Sequence, residues 1–220
     1  MRSRFPTAFT LIELLAVMGV IALMAGVAGL SLREGRPAVA LQSAQGALAG
    51  LLSAARGRAA LSQCRTTLIV DADSRSEGYL RDIQIVVQSR SNPGQWVRTA
   101  EGMMLPRGVY VVPAPAMITG ITLGSGPENW PAGRWSTLQP APAGSISVRA
   151  GDQAGTYLMM SQSFGFTGAS VMDEGVKFVV SPARRTPAGL IFGNPDWVSG
   201  FALSSYGQTI FINDGAGFDF

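Results

Sequence analysis

Nineteen consecutive residues, 14–32 (LLAVMGVIALMAGVAGLSL), carry no charge, and Ser31 is their only polar side chain. As a helix rising 1.5 Å per residue they would span about 28 Å, close to the ~30 Å hydrocarbon thickness of a bilayer. Residues 9–12 extend the run to position 9, with Thr10 and Glu13 as its further polar positions. A short leader, MRSRFPTA, precedes the run with Arg2 and Arg4, and Arg33, Glu34 and Arg36 follow it. Basic residues balance across the span, so the positive-inside rule gives no orientation. A secretory signal peptide would have a shorter apolar core, with Gly26-Val27-Ala28 as its cleavage site. A plain membrane anchor is the other simple reading.

Glu13 separates these readings from a third. A carboxylate inside an apolar helix costs roughly 2.5–3.5 kcal/mol on insertion scales and is functional by default. It needs a positive partner. Cleavage between Ala8 and Phe9 would create one, the new amine of Phe9. Glu13 would then stand fifth in the shortened chain, near a helix N-terminus whose dipole also favours negative charge.

The segment Ala8-Phe9-Thr10-Leu11-Ile12-Glu13-Leu14-Leu15 resembles the cleavage and N-methylation motif of type IV pilin-like proteins. Ala8 stands where that family usually has Gly. The resemblance implies that a prepilin peptidase cuts before Phe9 and methylates its amine, and that Glu13 registers subunits in a filament. It also implies a single-pass protein of the bacterial inner membrane, with the leader cytoplasmic and the C-terminal domain periplasmic. The implied partners are the peptidase, other pilin or pseudopilin subunits, an inner-membrane assembly platform and membrane lipid.

Beyond the apolar run, Leu41, Ala44, Leu48, Leu51, Leu52, Ala55 and Ala59 recur every three or four residues, the stripe of an amphipathic helix. Gln42, Ser43, Gln45, Arg56, Arg58 and Gln63 lie largely off that stripe. Residues 9–61 therefore read as one long helix, weakened at Gly35 and Pro37. After Cys64 the pattern changes to β-branched and aromatic runs at 66–72, 80–89, 108–112, 118–123, 145–149, 157–161, 176–181, 200–204 and 209–213. Turn clusters at 89–94, Asp173-Glu174-Gly175 and Tyr206-Gly207-Gln208 separate them, the last marking a hairpin.

The expected fold class is α+β: a long N-terminal helix, transmembrane then amphipathic, packed on a C-terminal antiparallel β-sheet domain, the pilin fold. The expected parts are a leader (1–8), the transmembrane half of the helix (9–32), its amphipathic half (33–62) and a β-rich domain (63–220). Within the last, residues 124–144 read as a long irregular loop carrying Trp130 and Trp135, a candidate contact for a neighbouring subunit or cargo. The Ala/Arg-rich helix end (residues 54–61), the following strand, Phe164-Gly165-Phe166-Thr167-Gly168 and the closing hairpin resemble the minor pseudopilin H and FimT-like branch. That resemblance implies a minor pseudopilin of a type II secretion system or a type IV pilus-like filament, and no enzyme. The alternatives are a membrane-anchored binding module, or an adhesive or DNA-uptake minor pilin.

Other chemistry finds little support. The chain has no His, which removes His-based triads, ligands and pH switches, and a single cysteine excludes an internal disulfide. Without His, its serines lack the usual base of a hydrolase. Gly124-Ser125-Gly126 has no Gly-Lys-Ser/Thr after it and is no phosphate loop. Asp71, Asp73 and Glu77 have the oxygen chemistry of a calcium loop, but Arg75 interrupts them and no central glycine is present, so a solvated turn is the better reading. No metal or other cofactor is expected. Cys64 reads as a small buried apolar residue at the helix-to-strand join. The formal charge of +3 falls to +1 without Arg2 and Arg4, leaving 15 basic against 14 acidic residues. From Thr186 onward the only charges are Asp196, Asp214 and Asp219, so Arg184-Arg185 does not belong to a concentrated basic stripe and nucleic acid is disfavoured.

Overall fold

The computed structural model describes residues 11–34, 36–114, 117, 121–123, 134–147, 155–161, 163–165, 176–204 and 208–214. The chain divides into two compact units, Met1–Arg36 and Pro37–Phe220. In the first, helix α1 (Leu11–Glu34) takes up the apolar run, with Glu13 in its first turn. Helix α2 (Arg36–Ser62) follows, with Gly35 between them outside the described residues.

Ala44, Leu48, Leu51, Leu52, Ala55 and Ala59 on α2 are buried in one hydrophobic core, and Leu41 packs against it. Those positions are the stripe that the helical period requires, because 3.6 residues per turn returns i, i+4 and i+7 to one face. By length and composition Pro37–Ser62 could also cross a membrane. Its apolar face is already covered by the domain's own core, so it is a core helix.

The β region forms two sheets. In the first, β1 (Thr66–Asp71), β2 (Asp82–Gln88), β3 (Trp96–Met104), β6 (Leu138–Pro140), β7 (Ile146–Ser147) and β8 (Tyr157–Met160) take the order β6-β8-β1-β2-β3-β7. In the second, β5 (Ile121–Leu123), β9 (Val176–Thr186), β10 (Gly189–Phe192), β11 (Ser199–Leu203) and β12 (Thr209–Ile212) take the order β12-β11-β9-β10-β5, and β4 (Val109–Val111) also pairs with β9. Pairing is antiparallel except at β3–β7 and β5–β10. β1 is buried at five consecutive positions, Thr66 to Val70, so both faces of its sheet are covered there.

Three strands fall where the sequence shows no run. β3 (WVRTAEGMM) is broken by a bulge, since Ile85 alone separates Gln84 and Val86 on β2 while Thr99, Ala100 and Glu101 separate their partners Arg98 and Gly102. β10 has only four residues. β6 contains Pro140, which an edge strand tolerates because it need not donate on both sides. β6 lies inside the stretch read as irregular loop, and Trp135 is half-buried against the core rather than exposed. Trp130, Gly124-Ser125-Gly126 and Asp173-Glu174-Gly175 lie outside the described residues. The expected hairpin is present: β11 and β12 pair from Gly200↔Ile212 to Leu203↔Thr209.

Candidate functional site

The described side chains of α1, from Leu11 to Ala22 and Met24, are all exposed; Leu11 and Ile12 are 80% and 77% exposed. Leu, Ile, Val and Met cover this helix on every side, so no amphipathic face directs it onto a single sheet. An exposed apolar surface of this extent is stable only against lipid or other apolar helices. Its 24 residues correspond to about 36 Å, enough to cross a bilayer. Glu13 places the only carboxylate of the run at the helix end where backbone N–H groups and the dipole favour negative charge. Ala8 and Phe9 lie outside the described residues.

In the globular unit the acidic turn behaves as a turn. Asp71 Oδ1 accepts from the Asp73 amide at 2.9 Å, and Asp73 Oδ1 accepts from the Arg75 amide at 2.9 Å. Both carboxylates are thus used to fold the segment back on itself, as Asx turns do. Among the described residues no group of three or more His, Cys, Asp or Glu is placed to hold a metal ion. Cys64 sits at the helix-to-strand join but is half-buried, not buried: its Sγ accepts from Arg90 Nε at 3.4 Å. Position was readable from sequence there; the arginine reaching back from 26 residues away was not.

A row of polar groups crosses the outer face of the first sheet. Gln84 Nε2 donates to Asp82 Oδ2 at 2.7 Å, Arg98 donates to Gln84 and, at 3.1 Å, to the Tyr157 hydroxyl, and its guanidinium lies 5.6 Å from the Tyr157 ring centroid. Beside it the β3 bulge opens a cleft of about 360 Å³ lined by Asp82, Gln84, Arg98, Thr99, Glu101 and Met104, among others. Burial raises the Asp82 carboxyl above its ordinary range, an effect opposed by Gln84 and Arg98 and reinforced by Asp71. Glu101 is held low, chiefly by hydrogen bonding from Thr99, with Arg58 contributing from 3.8 Å. An acid held by an amide and a guanidinium is a hydrogen-bonding row; a nucleophile with an adjacent base, which covalent catalysis needs, is not formed here.

Several of the described arginines are engaged within the chain. Arg56 donates to Thr209 Oγ1 at 2.7 Å and lies over the Phe164 ring at 5.4 Å. Arg81 is buried, donating to the Leu105 carbonyl at 2.6 Å beside Tyr110. Arg134, also buried, pairs with Asp196 at 2.7 Å and braces the turn that carries exposed Trp197. Arg185, one half of the basic pair, donates to the Ser74 and Ser76 carbonyls. Guanidinium suits such posts because its planar fork bonds two oxygens while its face stacks on a ring.

No family model matches the sequence, and no curated protein matches it. Among solved structures the chain is similar to the minor pseudopilin EpsH from the type 2 secretion system of Vibrio cholerae, at 11% identity and a TM-score of 0.36, covering 74% of this chain and 87% of that one. At that TM-score the two backbones do not superpose closely enough to argue from one to the other. The chain's own residues carry the functional reading.

Proposed function

We propose that this protein is a structural subunit of a type IV pilin-like filament, specifically a minor pseudopilin of a type II secretion or related pilus system. The observation that carries the reading is Glu13: a carboxylate in the first turn of a helix, within a stretch whose other described side chains are apolar or glycine and exposed. An acid there has no place in a simple anchor, because it opposes insertion. It is useful if a neighbouring subunit supplies a cation, and a prepilin peptidase cutting between Ala8 and Phe9 supplies one, the Phe9 amine. Before assembly α1 would hold the subunit in the inner membrane with the domain Pro37–Phe220 on the periplasmic side. After assembly α1 would pack among the same helices of other subunits. The chain's own architecture, an N-terminal apolar helix preceding a two-sheet domain with a separate core, supports this division of labour.

Replacing Glu13 tests it. Glu13→Ala removes the insertion cost, so membrane-fraction levels should stay the same or rise. Co-sedimentation with sheared or overexpressed filaments should fall at least tenfold, since a registering ion pair in a low-dielectric bundle is lost. Incorporation equal to the unaltered chain overturns the role given to Glu13.

A further inference from the structure

Residues 71–80, from the last residue of β1 through most of the connection to β2, read DADSRSEGYL and have the oxygen-rich chemistry of a cation-binding turn. Several of these oxygens have internal partners. Asp71 and Asp73 side chains accept from the amides two residues on, the Asp73 carbonyl accepts from the Ser76 amide at 3.0 Å, and the Asp71 carbonyl accepts from the Leu80 amide at 2.8 Å. The Ser74 and Ser76 carbonyls point to a cation, and that cation is Arg185, donating at 2.6 and 3.0 Å from its two terminal nitrogens. Arg185 belongs to β9 of the other sheet, more than a hundred residues further along. Its guanidinium also lies 5.9 Å from the ring centroid of Tyr79, a side chain 3% exposed.

The turn itself carries strain that something must hold. Leu80 has φ +52, a left-handed conformation unfavourable for a branched side chain. Its amide is tied to Asp71 and its carbonyl accepts from the Val111 amide at 2.8 Å, on a strand of the second sheet. Gly78 is packed so closely that a Cβ would sit 2.8 Å from Asp82 Cβ. Two links therefore run from this turn to the second sheet, one through Leu80 and one through Arg185.

We infer that Arg185 is a built-in cation: its guanidinium occupies the carbonyl position that a bound divalent ion would otherwise neutralise, and it latches the β1–β2 turn to the second sheet. The turn is thus locked without calcium, and Arg185 is a positioning residue of the domain, its two terminal nitrogens committed to the Ser74 and Ser76 carbonyls. A guanidinium is suited to this duty because it stays charged at all working pH values and spans two carbonyls at once. A lysine ammonium is a point donor and replaces the fork only in part.

Hydrogen–deuterium exchange on the full chain in detergent micelles reads the latch directly. In Arg185→Gln the amides of Ser76, Tyr79 and Leu80 should exchange roughly tenfold faster, the scale of losing charged hydrogen bonds at an exposed side chain. Arg185→Lys should fall between that variant and the unaltered chain, and Arg184→Gln, on the adjacent exposed residue, should leave the turn unchanged. Millimolar calcium or a chelator should not alter exchange in the unaltered chain. Calcium-dependent protection of residues 71–80 with Arg185 in place would overturn the inference, as would unchanged exchange in Arg185→Gln.

Discussion

Gly200 is the position where the second sheet has least room, and Gly200→Ala shows how much. It sits in β11, paired with Val179 of β9 on one side and Ile212 of β12 on the other. A Cβ added there would lie 1.9 Å from the Phe178 carbonyl oxygen and 3.0 Å from its carbon, at a φ of +155. Carbon–oxygen contacts across sheets sit at about 3.3–3.6 Å, so the strands must part by roughly 1.4 Å or more. β9 cannot retreat, because β4, β10 and β11 all pair with it. Parting by that much takes ladder bonds beyond hydrogen-bond range, and it disturbs the stack of Phe178 on Phe201 at 5.3 Å. The contact from Gln45 Nε2 on α2 to the Gly200 carbonyl, 3.5 Å, goes with them. Two or three net hydrogen bonds plus repacking amount to about 3–5 kcal/mol, a large part of the ~5–15 kcal/mol that holds a domain together. Guanidinium denaturation of the full chain in detergent, followed by tryptophan fluorescence, measures it. Gly193→Ala is the control, since a Cβ there meets nothing within 4 Å and should change stability by no more than about 1 kcal/mol. A Gly200→Ala chain within 1 kcal/mol of the original would refute the close approach.

Three further outcomes are expected from the same denaturation assay. Leu48→Ala should cost about 2–5 kcal/mol, because Leu48 is fully buried and α2 is a core helix; a negligible cost would return α2 to the list of membrane spans. Gln63→Gly should stabilise by roughly 0.5–1 kcal/mol, since Gln63 follows the last residue of α2 at φ +53, where glycine is the preferred helix stop; destabilisation would contradict that geometry. Asp82→Asn should stabilise the domain at pH 7. Burial makes the folded state hold the Asp82 proton more tightly than the unfolded chain, so its charge costs stability at neutral pH and that cost disappears as pH falls through the raised pKa towards 3.8. The advantage of Asn should therefore shrink near pH 3, and an advantage that grew on acidification would contradict the sign.

Local pattern made much of this fold legible. The 3.6-residue stripe on α2 and the apolar run of α1 are set by side chains a few positions apart, and Tyr206-Gly207-Gln208 marks a hairpin because its two strands are neighbours in sequence. What remained hidden depends on distant partners. That β1 pairs with β8 as well as β2, and β9 with β4, β10 and β11, is decided by packing between segments tens of residues apart. β3 disguises itself through a bulge, with Arg98, Thr99 and Glu101 facing a cleft, and β6 through an edge proline. Glu13 could be singled out because a charge inside an apolar run is locally costly. Arg185 could not, because the carbonyls it serves lie across the gap between two sheets and leave no trace in the surrounding residues.

Membership of a pilin-like filament depends on how the chain begins when it matures. Intact mass and N-terminal fragment mass spectrometry of the protein, isolated from membranes of a host with prepilin peptidase, tests it most directly. The expected chain starts at N-methylated Phe9, with Glu13 fifth. A chain that still begins at Met1, or one cut after Ala28 to begin at Gly29, would contradict it.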